Sequence, residues 1–371
     1  MSTTRIRFVD LTAKFAPFSQ QFVKDFERVL ASGWYILNDE VARLEDSVCG
    51  FTQCGSAVGV GNGTDALTLS LKVAGVRPGD EVITTPMSYL ATTSTIALCG
   101  ATAVFTDIDG TLNLDPDGIE AAITPRTRAI SLVHLAGLPA RMDKIMYVAD
   151  KHGLPVIEDC AQSFGATLNG HHTGTFGRLG AISFHPLKNI GALGDGGMIM
   201  AAHSQDADRL RQARNHGISG RDDCDFWAPN SRLDELHAAF LSTQLMHYPQ
   251  ELERRRRLAH VYCTHLEGVC DFPEVPAGAS PSYNWIMVLV DSRDDLMTFL
   301  NQRGIETKVH YPILIPDLKA ARDNCRTHGR ISNARREVDR ILSLPTAEHI
   351  SEDDAVHISQ QIKEFYALSG R

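Results

Sequence analysis

The sequence lacks the features that mark membrane-spanning, secreted and zinc-binding proteins. Among its 371 residues, no apolar run approaches the length of roughly 18 residues that a membrane-spanning helix needs. The N-terminal residues Met1–Phe8 contain no apolar core of the kind found in signal peptides. No two of the eight cysteines are spaced as Cys-x-x-Cys, and the histidines add no structural-zinc pattern. Scattered cysteines indicate reduced thiols, so we expect a cytoplasmic protein without a membrane partner.

The sequence is also short of positive charge. It has 36 Lys and Arg against 45 Asp and Glu, a formal net charge of −9. This balance argues against nucleic acid as a partner, because neutralising phosphates supplies most of that affinity. The basic run Arg254–Arg257 favours a solvent-exposed helix face over a nucleic-acid site. The remaining composition, 43% hydrophobic and 22% charged, is typical of a globular protein with roughly two domains.

Short apolar runs alternate with helix-like segments over the first two thirds of the chain. The predicted strands are Ala57–Gly61, Glu81–Thr85, Ala101–Ile108, Ala129–Leu135, Pro155–Asp159, Gly180–His185 and Gly197–Ala201. The helix-like segments between them are Asp65–Val73, Tyr89–Leu98, Pro116–Ile123, Met142–His152 and Asp206–Arg214. This alternation predicts an α/β domain whose mostly parallel sheet, of about seven strands, is covered by helices on both faces.

The pattern changes near Tyr248, where we place a domain boundary. The segments predicted beyond it are a helix over Glu251–Leu266, a Pro/Gly-rich stretch over Phe272–Pro281, a strand over Trp285–Val290, a helix over Asp294–Arg303 and a second strand ending at His310. We therefore expect a large domain over residues 1–247, which includes the N-terminal segment. A smaller C-terminal α+β domain is expected over residues 248–371.

A glycine-rich loop, Gly59-Val60-Gly61-Asn62-Gly63-Thr64-Asp65, joins the first predicted strand to a helix. Glycines let the backbone approach an anion, and a helix N-terminus presents free N–H groups to it. A phosphate would fit against Gly63, Thr64 and Asp65. A plain tight turn and a dinucleotide loop remain alternatives, although the spacing is not Gly-x-Gly-x-x-Gly.

An acidic residue, Asp159, ends the apolar strand Pro155–Asp159. A carboxylate at that edge of a sheet is partly desolvated and needs a cationic partner. A protonated pyridine nitrogen is one such partner. A helix-capping aspartate is the alternative interpretation.

A single lysine, Lys188, follows the next strand in Ser183-Phe184-His185-Pro186-Leu187-Lys188-Asn189. Four glycines come shortly after it, within Gly191–Gly197. A lysine in such a loop can be held deprotonated and form a Schiff base with an aldehyde, whereas the alternative is a surface lysine. A phosphate cup, a carboxylate and a Schiff-base lysine are together what pyridoxal 5′-phosphate (PLP) requires.

Five ordered motifs make the sequence resemble the DegT/DnrJ/EryC1/StrS family of sugar aminotransferases, which have the aspartate-aminotransferase fold type I. They are Gly63-Thr64-Asp65-Ala66-Leu67, Pro78-Gly79-Asp80-Glu81-Val82-Ile83, Ile157-Glu158-Asp159-Cys160-Ala161-Gln162, Pro186-Leu187-Lys188-Asn189 and Asn230-Ser231-Arg232-Leu233-Asp234-Glu235-Leu236. The resemblance covers nearly the whole chain, from Gly33-Trp34-Tyr35-Ile36-Leu37 to His310-Tyr311-Pro312.

The resemblance implies a role for each matching residue. Lys188 would form the Schiff base with PLP and shuttle a proton, and Asp159 would keep the pyridine nitrogen protonated. The other cofactor contacts implied are Gly63, Thr64, Asp65, Tyr89, Gln162, Ser183, His185 and Asn230, the last reaching the phosphate from a neighbouring subunit. Plausible substrate contacts are Trp34, Tyr35, Arg232, His310 and Tyr311. Purely structural roles remain the alternative for Tyr89, for His185 and for the five substrate-contact residues. The segment Ser231–Leu236 could likewise serve only to cap a helix.

The implied function is a homodimeric, PLP-dependent aminotransferase that uses L-glutamate to convert a nucleotide-linked keto sugar to an amino sugar. The Gly33–Leu37 segment is most similar to relatives that aminate dTDP-linked 3-keto-6-deoxy sugars, with a 4-keto sugar as a further possibility. Relatives that dehydrate carry histidine in place of lysine, so Lys188 favours transamination. The segment Tyr311–Pro316 lacks a histidine that the family often carries there. The alternatives are an aminocyclitol aminotransferase, a non-catalytic scaffold or regulator, and an oxidoreductase suggested by the glycine loop alone.

Overall fold

The computed structural model describes residues 6–368 of the chain. The strands in this range are β1 (Ser56–Val60), β2 (Glu81–Thr84), β3 (Thr102–Phe105), β4 (Thr127–Val133), β5 (Val156–Asp159), β6 (Thr167–Leu168), β7 (His171–His172), β8 (Leu179–Ser183), β9 (Gly197–Ala201), β10 (Ala279–Ser280), β11 (Ile286–Leu289), β12 (Cys325–Thr327) and β13 (Ile341–Leu344).

The α-helices in the same range are α1 (Leu11–Phe15), α2 (Ser19–Ser32), α3 (Asp39–Thr52), α4 (Gly63–Val73), α5 (Leu90–Leu98), α6 (Pro116–Ala122), α7 (Met142–His152), α8 (Ser204–Ala213), α9 (Glu235–Leu266), α10 (Arg293–Gln302), α11 (Ala321–Asn324), α12 (Ser332–Glu337) and α13 (Glu352–Leu368). Short 3₁₀ helices cover Ala16–Phe18, Leu135–Gly137 and Ile315–Asp317. No helix between residues 6 and 368 is long and apolar enough to cross a membrane.

The predicted α/β fold is confirmed, with one strand more than expected. The large sheet has eight strands in the order β1-β9-β8-β5-β4-β2-β3-β12, and β9 is antiparallel to both of its neighbours while the other pairs are parallel. The seven predicted strands all lie in this sheet. The eighth, β12, comes from the C-terminal part of the chain, and its three residues, Cys-Arg-Thr, carry no apolar run that sequence reading could detect.

Both faces of the sheet are buried, which explains why its strands are apolar without alternation. Along β8, Ala181 packs into the apolar cluster on one face and Ile182 into the cluster on the other. Because β9 is antiparallel to β1 and β8, those two strands run in the same direction as β5. Their carboxyl ends therefore meet at one edge, where Val60, Asp159 and Ser183 lie.

The C-terminal region differs from the prediction in two places. A two-stranded sheet of β11 and β13 is present, but the predicted strand ending at His310 is wrong. That segment makes only isolated bridges, such as Lys308 to Ser343. Helix α9 begins at Glu235, earlier than expected, and continues through Pro249, so one helix crosses the boundary proposed between residues 247 and 248. The division into two domains stays a prediction.

The basic run on α9 is not a purely solvent-exposed face. The Arg255 side chain is buried, with its guanidinium 2.8 Å from a Glu251 oxygen and 3.0 Å from a Glu348 oxygen. Arg254 donates hydrogen bonds to the carbonyl oxygens of Thr346 and Ile350. The expectation of a solvated face is therefore corrected, because these arginines attach α9 to the C-terminal region.

A buried histidine, His172 on β7, makes the stability of the fold depend on pH. Its Nε2 accepts a hydrogen bond from the Gly165 N–H at 2.7 Å, and burial lowers its pKa to about 4. The unfolded chain takes up this proton near pH 6.5, so the stabilising contribution is complete above that pH and decreases as the pH falls toward 4. At pH 5 the loss is about 2 kcal/mol.

We therefore expect His172→Gln to reduce the difference in unfolding free energy between pH 7 and pH 5 by about 2 kcal/mol. Urea unfolding of the wild type and the variant at both pH values measures this difference. His260→Gln, at an exposed position on α9, is the control and should leave the difference unchanged. An unchanged difference in His172→Gln would contradict the assignment of the effect to His172.

Candidate active site

A cavity of about 700 Å³ opens at the edge of the sheet where β1, β5 and β8 end. Its size lies in the range usual for small-molecule sites. Eleven of the residues singled out from the sequence line it: Gly63, Thr64, Asp65, Tyr89, Asp159, Gln162, Ser183, His185, Lys188, His310 and Tyr311. Chain segments separated by as many as 248 residues, from Gly63 to Tyr311, thus meet in one place.

The glycine loop forms the N-terminus of α4 at one end of the cavity. The Asn62 side chain caps the helix by accepting a hydrogen bond from the Asp65 N–H at 2.8 Å. The N–H groups of Gly63 and Thr64 have no acceptor within the helix. A Cβ on residue 63 would lie 2.6 Å from the Ser183 Cβ, so only glycine lets Ser183 come this close. Backbone N–H groups and two hydroxyls, of Thr64 and Ser183, therefore converge as they do in anion sites.

One oxygen of the Asp65 carboxylate, Oδ2, is bonded to neighbouring side chains. It accepts hydrogen bonds from the Ser231 hydroxyl at 2.6 Å and from the Asn62 amide at 3.0 Å. Because the Asp65 N–H is also used by Asn62, the donors available to an anion at this loop come from Gly63 and Thr64.

Asp159 lines the cavity and is only 4% exposed. Its Oδ2 accepts a hydrogen bond from the Thr92 hydroxyl at 2.7 Å, and its Oδ1 accepts one from the Ala161 N–H at 3.1 Å. Burial raises the pKa of Asp159, and the hydrogen bond from Thr92 and the charge of Lys188 oppose that rise. The carboxylate is thus oriented by the protein and has unused acceptor capacity toward the cavity.

Lys188 faces the same space. Burial lowers the pKa of its amine, and the Asp159 carboxylate partly opposes this. A lowered pKa increases the fraction of neutral, nucleophilic amine. Lys14 on α1 fixes the loop that carries Lys188. Its ammonium donates hydrogen bonds to the carbonyl oxygens of Pro186, at 3.1 Å, and of Lys188 itself.

Gln162, Tyr311 and Tyr89 form another part of the cavity wall. The Gln162 Oε1 accepts a hydrogen bond from the Ala136 N–H at 2.6 Å, and its Nε2 donates one to the Tyr311 hydroxyl at 3.1 Å. The Tyr311 and Tyr89 rings lie 5.9 Å apart. The Gln162 amide therefore joins the sheet region to the C-terminal part of the chain at the cavity.

Trp285 also lines the cavity, although sequence analysis did not select it. Its ring stacks on His310 at 4.0 Å, and the Lys188 Nζ lies 5.9 Å from its centre. Burial, together with the nearby Lys188, lowers the pKa of His310 to about 4, so this imidazole is neutral at physiological pH. Asp195, another lining residue that the sequence did not point to, is exposed.

Four selected residues, Trp34, Tyr35, Asn230 and Arg232, are not among those that line this cavity. Trp34 and Tyr35 are 64% and 51% exposed, and Asn230 is exposed as well. The two segments are neighbours, because Ile36 forms a backbone bridge with Asp234. Glu235 lies in the segment Ser231–Leu236, for which helix capping was the alternative role. Its carboxylate does cap a helix, α3, because it accepts hydrogen bonds from the N–H groups of Asn38 and Glu40 at 2.7 Å each.

A buried group of potential metal ligands, His134, Glu158 and Cys160, includes both chain neighbours of Asp159. The His134 Nδ1 accepts a hydrogen bond from the Ala140 N–H, which leaves Nε2 to donate to Glu158 at 3.0 Å. The Glu158 oxygens also accept three backbone N–H groups, those of Gly174, Phe176 and Gly177. With its oxygens and nitrogens in use, this group is a hydrogen-bond network that supports β5.

Similarity to known proteins covers almost the entire chain. The model of the DegT/DnrJ/EryC1/StrS aminotransferase family matches residues 18–363. The chain is 40% identical over 362 residues to a UDP-N-acetyl-3-dehydro-alpha-D-glucosamine 3-aminotransferase of Acidithiobacillus ferrooxidans, covering 97% of this chain and 98% of that one. It is 37% identical over 366 residues to a protein of Geobacillus stearothermophilus named pleiotropic regulatory protein, with 97% and 98% covered.

The crystal structure of DesV from S. venezuelae, solved in complex with a ketimine intermediate, has the same fold. It superimposes with a TM-score of 0.94 at 36% identity, covering 98% of this chain and 99% of that chain. The family match, the identities and the superposition agree with the motifs that meet in the cavity. The chain is a member of the DegT/DnrJ/EryC1/StrS aminotransferase family, the PLP-dependent transaminases.

Proposed function

We propose that the cavity binds PLP through Lys188 and that the chain transfers the amino group of L-glutamate to the ketone of a nucleotide-linked sugar. The observation that carries this proposal is the arrangement of an amine, a buried carboxylate and an anion cup around one cavity. These are the three groups that PLP needs from a protein.

The residues present fit this cofactor. The phosphate would accept hydrogen bonds from the N–H groups of Gly63 and Thr64 and from the hydroxyls of Thr64 and Ser183, in the space that Gly63 leaves open. The Asp159 carboxylate would meet the pyridine nitrogen. Gln162 has a second amide hydrogen for the ring oxygen, since its first is bonded to Tyr311. Tyr89 would cover one face of the ring and His185 would lie beside it.

Bound PLP would supply an aldehyde that attaches amines reversibly and a protonated ring that withdraws electrons from the reacting carbon. Asp159 would hold the proton at the ring nitrogen. The Lys188 Nζ, with its lowered pKa, would take the proton from the reacting carbon of the donor and return it during the second half-reaction. The neutral His310 and Trp285 would bind and orient substrate beside this amine. In sum, the amino group of glutamate and the carbonyl oxygen of the sugar would be exchanged, which gives the amino sugar and 2-oxoglutarate.

We infer that the acceptor is a 3-keto sugar linked to UDP or dTDP. The A. ferrooxidans relative acts, by its name, at position 3 of a UDP-linked sugar, and it is 40% identical to this chain. The Gly33–Leu37 segment is similar to that of relatives that act on dTDP-linked 3-keto sugars. Glutamate as the donor follows from the family resemblance.

We also propose a homodimer with active sites at the subunit interface. This proposal is supported by the exposure of Trp34, Tyr35 and Asn230. Ser231, the neighbour of Asn230, accepts a hydrogen bond from the Gly61 N–H, which places this segment beside the glycine loop. Across a dimer, Asn230 would reach the phosphate of the other subunit. Sedimentation equilibrium of the purified protein tests the assembly, and a monomer would contradict it.

The test of the reaction is incubation of the purified chain with PLP, L-glutamate and a panel of keto sugars. The panel contains 3-keto and 4-keto sugars on UDP and dTDP, and a keto-inositol. Mass spectrometry should show an amine product from a 3-keto nucleotide sugar together with 2-oxoglutarate. A product from the keto-inositol alone would favour the aminocyclitol alternative. No product from any acceptor would favour a regulator, the role suggested by the name of the G. stearothermophilus relative.

A further inference from the structure

Two buried hydroxyls, those of Ser88 and Thr92, form a hydrogen-bonded chain that ends at the Asp159 carboxylate. The Thr92 Oγ1 lies 2.7 Å from Asp159 Oδ2, and the Ser88 Oγ lies 2.8 Å from Thr92 Oγ1. Ser88 is 3% exposed, and Thr92 is completely buried. An ionised carboxylate can only accept, so Thr92 must donate its one hydrogen to Asp159 and Ser88 must donate to Thr92.

Both hydroxyls are placed by the start of helix α5. Tyr89 is the N-cap residue of α5, and Thr92 lies one turn further on. The same turn therefore presents the Tyr89 ring to the cavity and the Thr92 hydroxyl to the carboxylate. The positive end of the helix dipole also favours negative charge at this place.

Few other groups stabilise the charge of Asp159. Among residues 6–368, its remaining hydrogen-bond donor is the Ala161 N–H, and the positive charge of Lys188 also favours its ionised form. The Tyr311 phenol and the Cys160 thiol lie near enough to feel its charge, and both are neutral because burial raises the pKa of each. Burial raises the pKa of Asp159, and the hydrogen bond from Thr92 is the largest influence in the opposite direction.

We propose that Thr92, supported by Ser88, is a positioning residue that keeps the Asp159 carboxylate ionised and aimed at the pyridine nitrogen of the cofactor. The inference rests on the proposed binding of PLP. Without Thr92 the proton shared by carboxyl and ring moves toward the carboxyl, and the ring withdraws electrons less strongly. The hydroxyl thus acts on the chemistry through Asp159, without touching the cofactor.

Thr92→Val tests this inference, because valine keeps the shape of threonine and removes the hydroxyl. Thr92→Ser restores the donor. Thr93→Val is the matched control, since Thr93 is the next residue on α5, is buried, and has a hydroxyl with no hydrogen-bond partner among residues 6–368. The first measurement is the affinity of each apo protein for PLP. We expect Thr92→Val to weaken it by about 10- to 100-fold, the usual effect of losing a hydrogen bond to a charged group.

The second measurement is the ¹⁵N NMR signal of ¹⁵N-labelled PLP bound to each protein, which reports the proton on the ring nitrogen. We expect a protonated signal in the wild type, Thr92→Ser and Thr93→Val, and a shift toward the unprotonated signal in Thr92→Val. Ser88→Ala should show a smaller shift in the same direction, and it keeps the test open if Thr92→Val does not fold.

The outcomes separate this inference from the proposed function. A wild type that binds no PLP overturns both. A wild type that binds PLP, with Thr92→Val and Ser88→Ala indistinguishable from it in affinity and signal, overturns only the role of Thr92. A signal change equal in Thr92→Val and Thr93→Val would also overturn that role, because it would reflect general disturbance of α5.

Discussion

Lys188→Ala is expected to lower kcat for amino transfer by at least about 10³-fold, because it removes the group that moves the proton. Among the described residues that line the cavity, Lys188 carries the one amine. The variant should also lack the visible absorption that PLP gains when it is attached to a lysine. Steady-state kinetics and an absorption spectrum measure the two effects.

Lys188→Arg is the matched control, since arginine keeps a positive charge but cannot act as a neutral amine. It should be as inactive as the alanine variant. The loss of activity in Lys188→Ala should not come from unfolding, because burial lowers the pKa of Lys188 and alanine removes a charge that burial disfavours. A Lys188→Ala protein that still converts glutamate to 2-oxoglutarate would contradict the assignment.

Asp159→Asn should lower kcat by about 10²- to 10³-fold, the usual cost of losing one charge-stabilising group at a reacting centre. Asparagine has nearly the same shape and can still accept the hydrogen bond from Thr92, but it carries no charge to hold a proton on the ring nitrogen. The Asp159 carboxylate opposes the lowering of the Lys188 pKa, so the variant should keep a reactive lysine. Borohydride reduction should therefore still attach PLP to Lys188.

Asp195→Asn provides the comparison for this variant. Asp195 is an exposed carboxylate that lines the same cavity, so its loss should reduce kcat by less than about 10-fold. Equal losses in the two variants would show that any negative charge near the cavity serves, and would remove the specific role given to Asp159.

The position of Asp159 and Lys188 in one cavity could be predicted, because Asp159 ends one apolar strand of the sheet and Lys188 follows another. The direction of such strands can be inferred from their pattern, and the carboxyl ends of parallel strands share one edge. The cup at Gly63 and Thr64 could be predicted for the same reason. The detail that Asp65 turns its carboxylate toward Ser231 could not, because it depends on a contact between residues 166 positions apart.

Trp285 shows why other parts of the site stay hidden in a sequence. It precedes β11 and has the pattern of an ordinary core aromatic, and only the packing of the C-terminal part against the sheet brings it to Lys188. The hydroxyl of Thr92 is similar, since it lies among several threonines on α5 and only one of them meets Asp159. The exposed Trp34, Tyr35 and Asn230 show the reverse case, in which the family motif selects residues that one chain alone does not bring into its own cavity.

The most direct test of the central claim is the absorption spectrum of the purified chain with PLP, recorded before and after addition of L-glutamate. The account predicts a visible band from PLP attached to Lys188, which glutamate bleaches with release of an equal amount of 2-oxoglutarate. A spectrum identical to that of free PLP, or a band that glutamate leaves unchanged, would contradict the account.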